Sequence, residues 1–394
     1  MNRTVNETVN SNGKARTRLS LCMIVRDESK FIAGCLDSVR GVADDVIVVD
    51  TGSSDDTAEI ARSRGARVLH HAWQNDFSAA RNESLRHCTS EWVLILDADE
   101  RLAPAQEEAL RRCCGDETAA AHTLLVRSRS TLPTGVSVQV MPYARLFRND
   151  PRFRFEGTVH EQISPSIARA GGKVIPSAVI IEHLGYGQGM DALQKKAERN
   201  LALLHERLRE NPLDAYACYH IGSTSIMFQR YREAITFLQR ALRGNGLPKS
   251  LQAIVWNLLA EAELRSGSPG AAGECCRASL ALAPVQLTAR WYLVGALLAG
   301  RNYAGAIAPL REILEIFFEV PSPPPLDVSV DLQMDEWRVR QIMGQCLWKT
   351  GDTSGALRCF AHALRLNPSS GEIQSNYATA LRAAGAGAAA DMNR

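Results

Sequence analysis

Three carboxylates, Asp97, Asp99 and Glu100, fall within four residues at the end of the apolar run Trp92-Val93-Leu94-Ile95-Leu96. Side chains two apart on an extended chain point to the same side, so Asp97 and Asp99 could address one ligand. Two aligned carboxylates suit a hard divalent cation, Mg²⁺ or Mn²⁺, which fills its remaining positions with water and phosphate oxygens. The same residues would also make an acidic turn that ends a strand and caps the next helix. The preceding run is too short for a helix and is bounded by polar sequence. It reads as a strand buried on both faces of a largely parallel sheet. Ligands of such sheets gather beyond the carboxyl ends of the strands, where these acids stand.

Other elements must hold that strand in place. Leu19–Val25 is a second short apolar run, closed by Arg26-Asp27-Glu28. An amphipathic helix follows, with Phe31, Ile32, Cys35, Leu36 and Val39 on one face. Val46-Ile47-Val48-Val49-Asp50 is a further strand ending in an acid, and it runs into a loop, residues 51–57, that carries a helix N-cap. A helix ending near Gly65 and a strand over residues 67–70 complete a pattern of right-handed parallel βαβ units. Asp50 sits where it could accept hydrogen bonds from a base or a ribose, or could turn the chain into the next helix. Arg81 could neutralise a diphosphate, or lie solvated on a helix. Asp55 and Asp56 read as acids favoured at a helix start. Residues 104–114 should form a helix, and 122–130 and 136–140 two strands joined by a turn at Pro133-Thr134-Gly135.

Val25-Arg26-Asp27-Glu28, followed by Val49-Asp50-Thr51-Gly52-Ser53-Ser54-Asp55-Asp56-Thr57, resembles the nucleotide-binding opening of family 2 glycosyltransferases. Phe77-Ser78-Ala79-Ala80-Arg81-Asn82, then residues 92–100, resembles the same family's approach to its Asp-x-Asp motif. The resemblance spans about residues 18–186 and implies a GT-A fold: a Rossmann-like α/β domain with a mainly parallel sheet. It further implies a nucleotide-sugar donor, a UDP-sugar foremost, contacted by Val25, Arg26, Glu28, Asp50, Ser53, Arg81, Asp97 and Ala98. Mg²⁺ or Mn²⁺ would be held by Asp97, Asp99 and His183, the last resembling a histidine that completes the metal site late in this fold. A lone histidine after an apolar strand has a structural role as its alternative. Tyr143-Ala144-Arg145-Leu146-Phe147-Arg148 and Phe155-Glu156-Gly157-Thr158-Val159-His160-Glu161 resemble the family's acceptor-side segment, where a carboxylate serves as base. Glu161 takes that role here, although the family more often carries Asp, and His160 would orient it or contact phosphate. Inversion at the anomeric carbon is likewise implied by the resemblance.

After Met190 the composition turns to Ala, Leu, Arg and Glu in helical periodicity, with a helix expected over residues 192–209. Gly222, Ala234, Leu238 and Ala241 stand at offsets of twelve, four and three. Ala260, Ala272, Cys276, Ser279 and Pro284 keep these offsets, as do Gly344, Ala356, Phe360, Ala363 and Pro368. The pattern resembles the tetratricopeptide repeat, in which small residues let paired helices pack closely. Residues 291–316 make a further unit with a shorter connection, and residues 376–384 a capping helix. Pro321-Ser322-Pro323-Pro324-Pro325 breaks the register as a loop between units. The expected division is a disordered leader at 1–17, a transferase domain at 18–188, linker and repeats at 189–388 and a tail at 389–394. Stacked repeats present a concave face suited to peptides, or serve to stabilise or dimerise the enzyme. A transferase followed by such repeats resembles the bacterial peptide S- and O-glycosyltransferases of the glycocin type, which implies a peptide or protein acceptor. The N-terminal half alone also resembles enzymes that add sugars to lipopolysaccharide core, where a lipid-linked acceptor would be reached. A repeat scaffold with an inactive nucleotide-sugar domain is an alternative from another class. A nucleotidyltransferase fits less well, because the opening lacks a Gly-rich, basic triphosphate loop.

The 394 residues suffice for two cores. Lys and Arg (45) nearly balance Asp and Glu (43), which gives no polyanion-binding signature and argues against nucleic acid. No apolar run reaches membrane-spanning length. Residues 1–18 are polar and lack the apolar core of a signal peptide. The ten cysteines include no C-x-x-C, and they read as small apolar thiols of a reducing cytoplasm.

Overall fold

The computed structural model describes residues 18–132, 135–184, 190–244, 246–319 and 334–391. The expected leader at 1–17, the tip of the 133–135 turn and the Pro321–Pro325 loop lie outside the described residues. Strand β1 (Leu19–Val25) leads through helix α1 (Ile32–Ser38) to β2 (Asp45–Asp50). Helix α2 (Thr57–Ser63) then leads to β3 (Arg67–His70), and α3 (Phe77–Arg86) to β4 (Trp92–Ile95). The four strands are parallel in the order β3-β2-β1-β4. The chain therefore winds outward from β1 to β3 and returns on the other side of β1, which makes the β1/β4 boundary a topological switch point. Both faces of β1 and β4 are covered. Leu19, Leu21 and Met23 join Leu94 and Leu96 in one core, while Cys22 joins Val93 and Ile95 in the other. That two-sided burial explains runs without polar alternation.

The sheet continues through β5 (Glu100–Leu102), helix α4 (Glu107–Cys114), β6 (Ala121–Leu132), β7 (Gly135–Arg148), helix α5 (Ser164–Arg169) and β8 (Val174–His183). Its full order is β3-β2-β1-β4-β7-β6-β8-β5. Here the sheet is mixed: β7 runs antiparallel to β4 and β6, β8 is parallel to β6, and β5 is antiparallel to β8. A short connection such as that between β6 and β7 can join only antiparallel strands. The helix expected from residue 104 starts at Glu107, because Ala105 adopts a left-handed φ of 60° that no right-handed helix accommodates.

Helix α6 (Met190–Glu210) follows, and the chain divides into two compact units between Leu203 and Leu204, inside that helix. The second unit consists of helix pairs: α7 (Ala215–Met227) with α8 (Tyr231–Arg243), and α9 (Lys249–Arg265) with α10 (Pro269–Leu282). Then come α11 (Thr288–Ala299) with α12 (Tyr303–Phe317), α13 (Glu336–Lys349) with α14 (Thr353–Leu366), and a last helix α15 (Gly371–Asp391). The repeat's small residues mark close approach. A Cβ at Gly222 would fall 2.5 Å from Leu238 Cγ, and one at Gly344 2.6 Å from Phe360 Cε1. Among the described residues, no helix is long and apolar enough to cross a membrane. All ten cysteines are free thiols.

Candidate active site

The carboxyl ends of β1, β2 and β4 open on one edge of the sheet, and the loops there are stitched to one another. After β1, Asp27 takes a left-handed φ of 54°, and its Oδ1 accepts hydrogen bonds from Ser54 N (2.7 Å) and Ser54 Oγ (2.9 Å). Its own backbone N–H donates to Ser53 Oγ at 3.0 Å. Glu28 N donates to Thr57 Oγ1 at 2.8 Å, and Ser29 N to Asp55 Oδ2 at 3.1 Å. Asp55, expected as a helix-start acid, thus bridges two loops. Burial is the largest single influence and would raise its carboxyl, but the hydrogen bonds from Thr57 and Ser29 together outweigh it and hold the group at about 2. The buried Asp50 accepts from the N–H groups of Gly52 (3.0 Å) and Ser53 (2.8 Å), turning the chain out of β2. Val25 anchors the other side through its carbonyl, which accepts from Thr51 N at 3.0 Å, while Arg26 is exposed.

Arg81 lies at the centre. Asp76 caps α3 by accepting from Ala79 N at 3.0 Å, and Asn82 brackets Phe155, donating to its carbonyl and accepting from its N–H, each at 2.9 Å. Phe77 N donates to the carbonyl of Thr158 at 2.9 Å. These bonds dock the 155–161 segment on α3, so that the Arg81 guanidinium meets both Glu161, through Nε, and Asp97, through Nη2 at 2.7 Å. Arg145 on β7 completes the cluster, with Nη2 3.2 Å from Asp97 Oδ2 and 2.8 Å from Glu100 Oε1. Glu100 Oε2 in turn accepts from Asp97 N at 2.9 Å. Burial disfavours the Asp97 carboxylate, but Arg81 and then Arg145 outweigh it and hold the group well below the usual carboxylate range. For Glu100 burial prevails over Arg145 and, with Asp97 adding to it, pushes the carboxyl to about 6. Two buried nitrogens of the cluster, Arg81 Nη1 and Arg145 Nε, have no hydrogen-bond partner among the described residues. Buried unpaired donors are costly, and an anionic ligand would satisfy them. His160, beside Glu161, holds a left-handed φ of 53°, a second non-glycine residue of the site in a sparsely populated conformation.

Asp99 is directed elsewhere. Pairing of β5 with β8 sets Glu100 opposite His183, and Leu184 N donates to the Asp99 carbonyl at 2.8 Å. His183 Nε2 then lies 3.3 Å from Asp99 Oδ2. Burial works against the charged imidazole, yet Asp99, with Glu100 and Asp97 behind it, raises His183 above its ordinary value. One carboxylate and one imidazole nitrogen side by side are a partial donor set that fits Mn²⁺, with diphosphate and water supplying the rest, whereas Mg²⁺ would draw on the Asp99 oxygens rather than the imidazole. Asp97, Asp99 and His183 form no three-donor cluster in this arrangement, and no other such group occurs among the described residues. Ala98, between the two acids, is buried.

Glu28 lies under the influence of the same acids. Burial first, then the charges of Asp99, Asp97 and Asp55, raise its carboxyl from 4.5 to about 7, with Lys196 of α6 acting in the opposite sense. The folded protein therefore keeps this proton at pH values where the unfolded chain has lost it. That contribution is fully present below 4.5 and is lost as pH rises through about 7. In chelator, Glu28→Gln should raise the thermal midpoint at about pH 8 and leave it nearly unchanged at about pH 4. An equal shift at both pH values would remove Glu28 from the acid cluster.

The structure thus brings Arg81, Asp97 and Glu161 together, pairs Asp99 with His183, and sets Val25 and Asp50 at the carboxyl ends of β1 and β2 with Glu28 and Ser53 on the loops beyond them. Arg145 has no role of its own in the sequence reading; its signal there is membership of the segment Tyr143-Ala144-Arg145-Leu146-Phe147-Arg148, which resembles the family's acceptor side.

Residues 20–164 match the model of glycosyl transferase family 2, and residues 228–286, 257–317 and 343–390 match the tetratricopeptide repeat. A TPR repeat-containing protein of Synechococcus elongatus is 37% identical over 278 residues, which cover 68% of this chain and 67% of that protein. The SPbeta prophage-derived glycosyltransferase SunS of Bacillus subtilis is 27% identical over 234 residues, 56% of this chain. The chain spans about half of SunS, 52% of its length. An uncharacterized glycosyltransferase of Rickettsia prowazekii is 36% identical over 93 residues, covering 24% of this chain and 32% of that protein. Among solved structures, the TPR protein YrrB aligns with 49% of this chain and 85% of its own, at 17% identity and a TM-score of 0.38. With its acid motif at the switch point and helix pairs following in the chain, this protein is a family 2 glycosyltransferase that carries C-terminal tetratricopeptide repeats.

Proposed function

We propose that the enzyme transfers a sugar, with inversion, from a UDP-sugar to a side chain of a peptide or protein, in a reaction that depends on Mn²⁺ or Mg²⁺. The observation that carries this reading is the buried cluster at the switch point, where Arg81 joins the acid motif to Glu161 beside the Asp99–His183 pair. Asp99 and His183 would hold the cation, which supplies positive charge to the departing nucleoside diphosphate. Asp97 fixes Arg81 and Arg145, whose unpartnered N–H groups are donors for phosphate oxygens. Asp50 and the stitched loops after β1 and β2 receive the nucleoside. Glu161 accepts the proton of the acceptor hydroxyl or thiol as that atom bonds to the anomeric carbon and the bond to the diphosphate breaks. The transferase domain would end near residue 188, with α6 as the linker. The repeats supply the surface for the acceptor, which favours a polypeptide over a lipid. Free thiols throughout support a cytoplasmic site of action.

Calorimetric titration with UDP, with and without Mn²⁺, tests the cation site. Wild type should bind UDP at least tenfold more tightly with Mn²⁺, and Asp99→Asn should erase that difference. UDP binding by wild type that is indifferent to Mn²⁺ would remove the cation from the reading.

A further inference from the structure

Ser128 on β6 is a register partner of His183 on β8, and its Oγ lies 3.0 Å from His183 Nδ1. The neighbouring pair locks that register from the opposite face, since Arg127 Nε donates to Glu182 Oε1 at 3.0 Å and Oε2 at 3.1 Å. A slip of one residue would turn every side chain of β8 to the other face, so the fork between Arg127 and Glu182 keeps Ser128 beside the imidazole. On the other side of the ring, Nε2 faces Asp99. The imidazole is thus held at both nitrogens, by a hydroxyl and by a carboxylate.

We infer that Ser128 is a positioning residue for the cation site: its hydroxyl oxygen accepts the Nδ1 proton of His183 and leaves the Nε2 lone pair aimed at the ion beside Asp99. A histidine that ligates through Nε2 is neutral and carries its proton on Nδ1, and the group bonded to Nδ1 sets both tautomer and ring orientation. Without that partner the ring turns more freely, and its lone pair is shared between the two nitrogens. The assignment rests on the cation reading of the Asp99–His183 pair.

The test is Mn²⁺ affinity in the presence of UDP, from the electron paramagnetic resonance signal of free Mn²⁺, for wild type, Ser128→Ala, Ser128→Thr, His183→Ala and the double alanine variant. Loss of a partner to a ligating histidine typically weakens metal binding on the order of 10–100-fold, and that is the expected effect of Ser128→Ala. Ser128→Thr should restore binding to within a few-fold, because it keeps a hydroxyl on the same carbon. In the His183→Ala background, Ser128→Ala should add nothing. Wild-type Mn²⁺ affinity in Ser128→Ala, together with a loss in His183→Ala, would overturn the role of Ser128 and leave the cation site standing. A loss from Ser128→Ala that persists without His183 would make the serine merely structural. Wild-type affinity in His183→Ala would overturn the cation site and the inference together.

Discussion

Arg81→Met should lower transfer on the order of 10²–10³-fold and destabilise the protein by about 3 kcal/mol. Both effects follow from where the guanidinium sits. It is buried, and it is shared between Glu161, whose side chain is 11% exposed, and Asp97, which keeps about a third of its side chain open (36%). Removing it takes from the largely buried Glu161 carboxylate its ion-pair partner, and an unpaired buried charge costs far more than the net worth of the pair. Asp97 retains Arg145 and about a third of its exposure, so most of the loss comes from Glu161. The rate should fall for a separate reason, because Arg81 Nη1, which has no hydrogen-bond partner among the described residues, is the donor proposed for developing phosphate charge. Arg81→Lys should recover part of the stability and little of the rate, since one ammonium cannot reproduce a planar fork reaching two carboxylates. Urea unfolding in chelator and initial rates of transfer measure the two effects independently. A fully active, stable Arg81→Met protein would dismiss the cluster as incidental.

Glu161→Gln should reduce kcat for transfer about 10²–10⁴-fold while leaving UDP affinity within a few-fold of wild type. The amide keeps the size and an oxygen for Arg81, so the cluster survives, but it cannot take a proton. The loss should be larger for a hydroxyl acceptor than for a thiol, which is partly ionised near neutrality without help. Rates with matched serine and cysteine peptides read this directly. If UDP affinity fell in step with kcat, Glu161 would be serving only to hold Arg81.

Much of this site can be read in the linear sequence, because parallel strands buried on both faces appear as uninterrupted apolar runs and their ends mark the site. Leu19–Val25 and residues 46–50 and 92–96 are legible for that reason, as are the repeat glycines that meet Leu238 and Phe360. The relation between Asp97 and Asp99 is not. Alternation on an extended chain would aim both at one ligand, but the strand has ended by Asp97, and a turn with Glu100 N bonded to the Asp97 carbonyl separates the two carboxylates. Asp97 falls to the arginines and Asp99 to His183. Arg145 and Ser128 were equally hidden, because their partners are 45 to 55 residues away and meet them only through strand pairing in the mixed half of the sheet.

The most direct measurement is release of nucleoside diphosphate from a panel of nucleotide sugars, with Mn²⁺, with Mg²⁺ and with chelator, since slow donor hydrolysis requires no acceptor. Turnover of a UDP-sugar that requires the cation and is lost in Asp99→Asn is the expected result. Silence across the panel, with no nucleotide bound in calorimetry, would contradict a nucleotide-sugar site at the switch point.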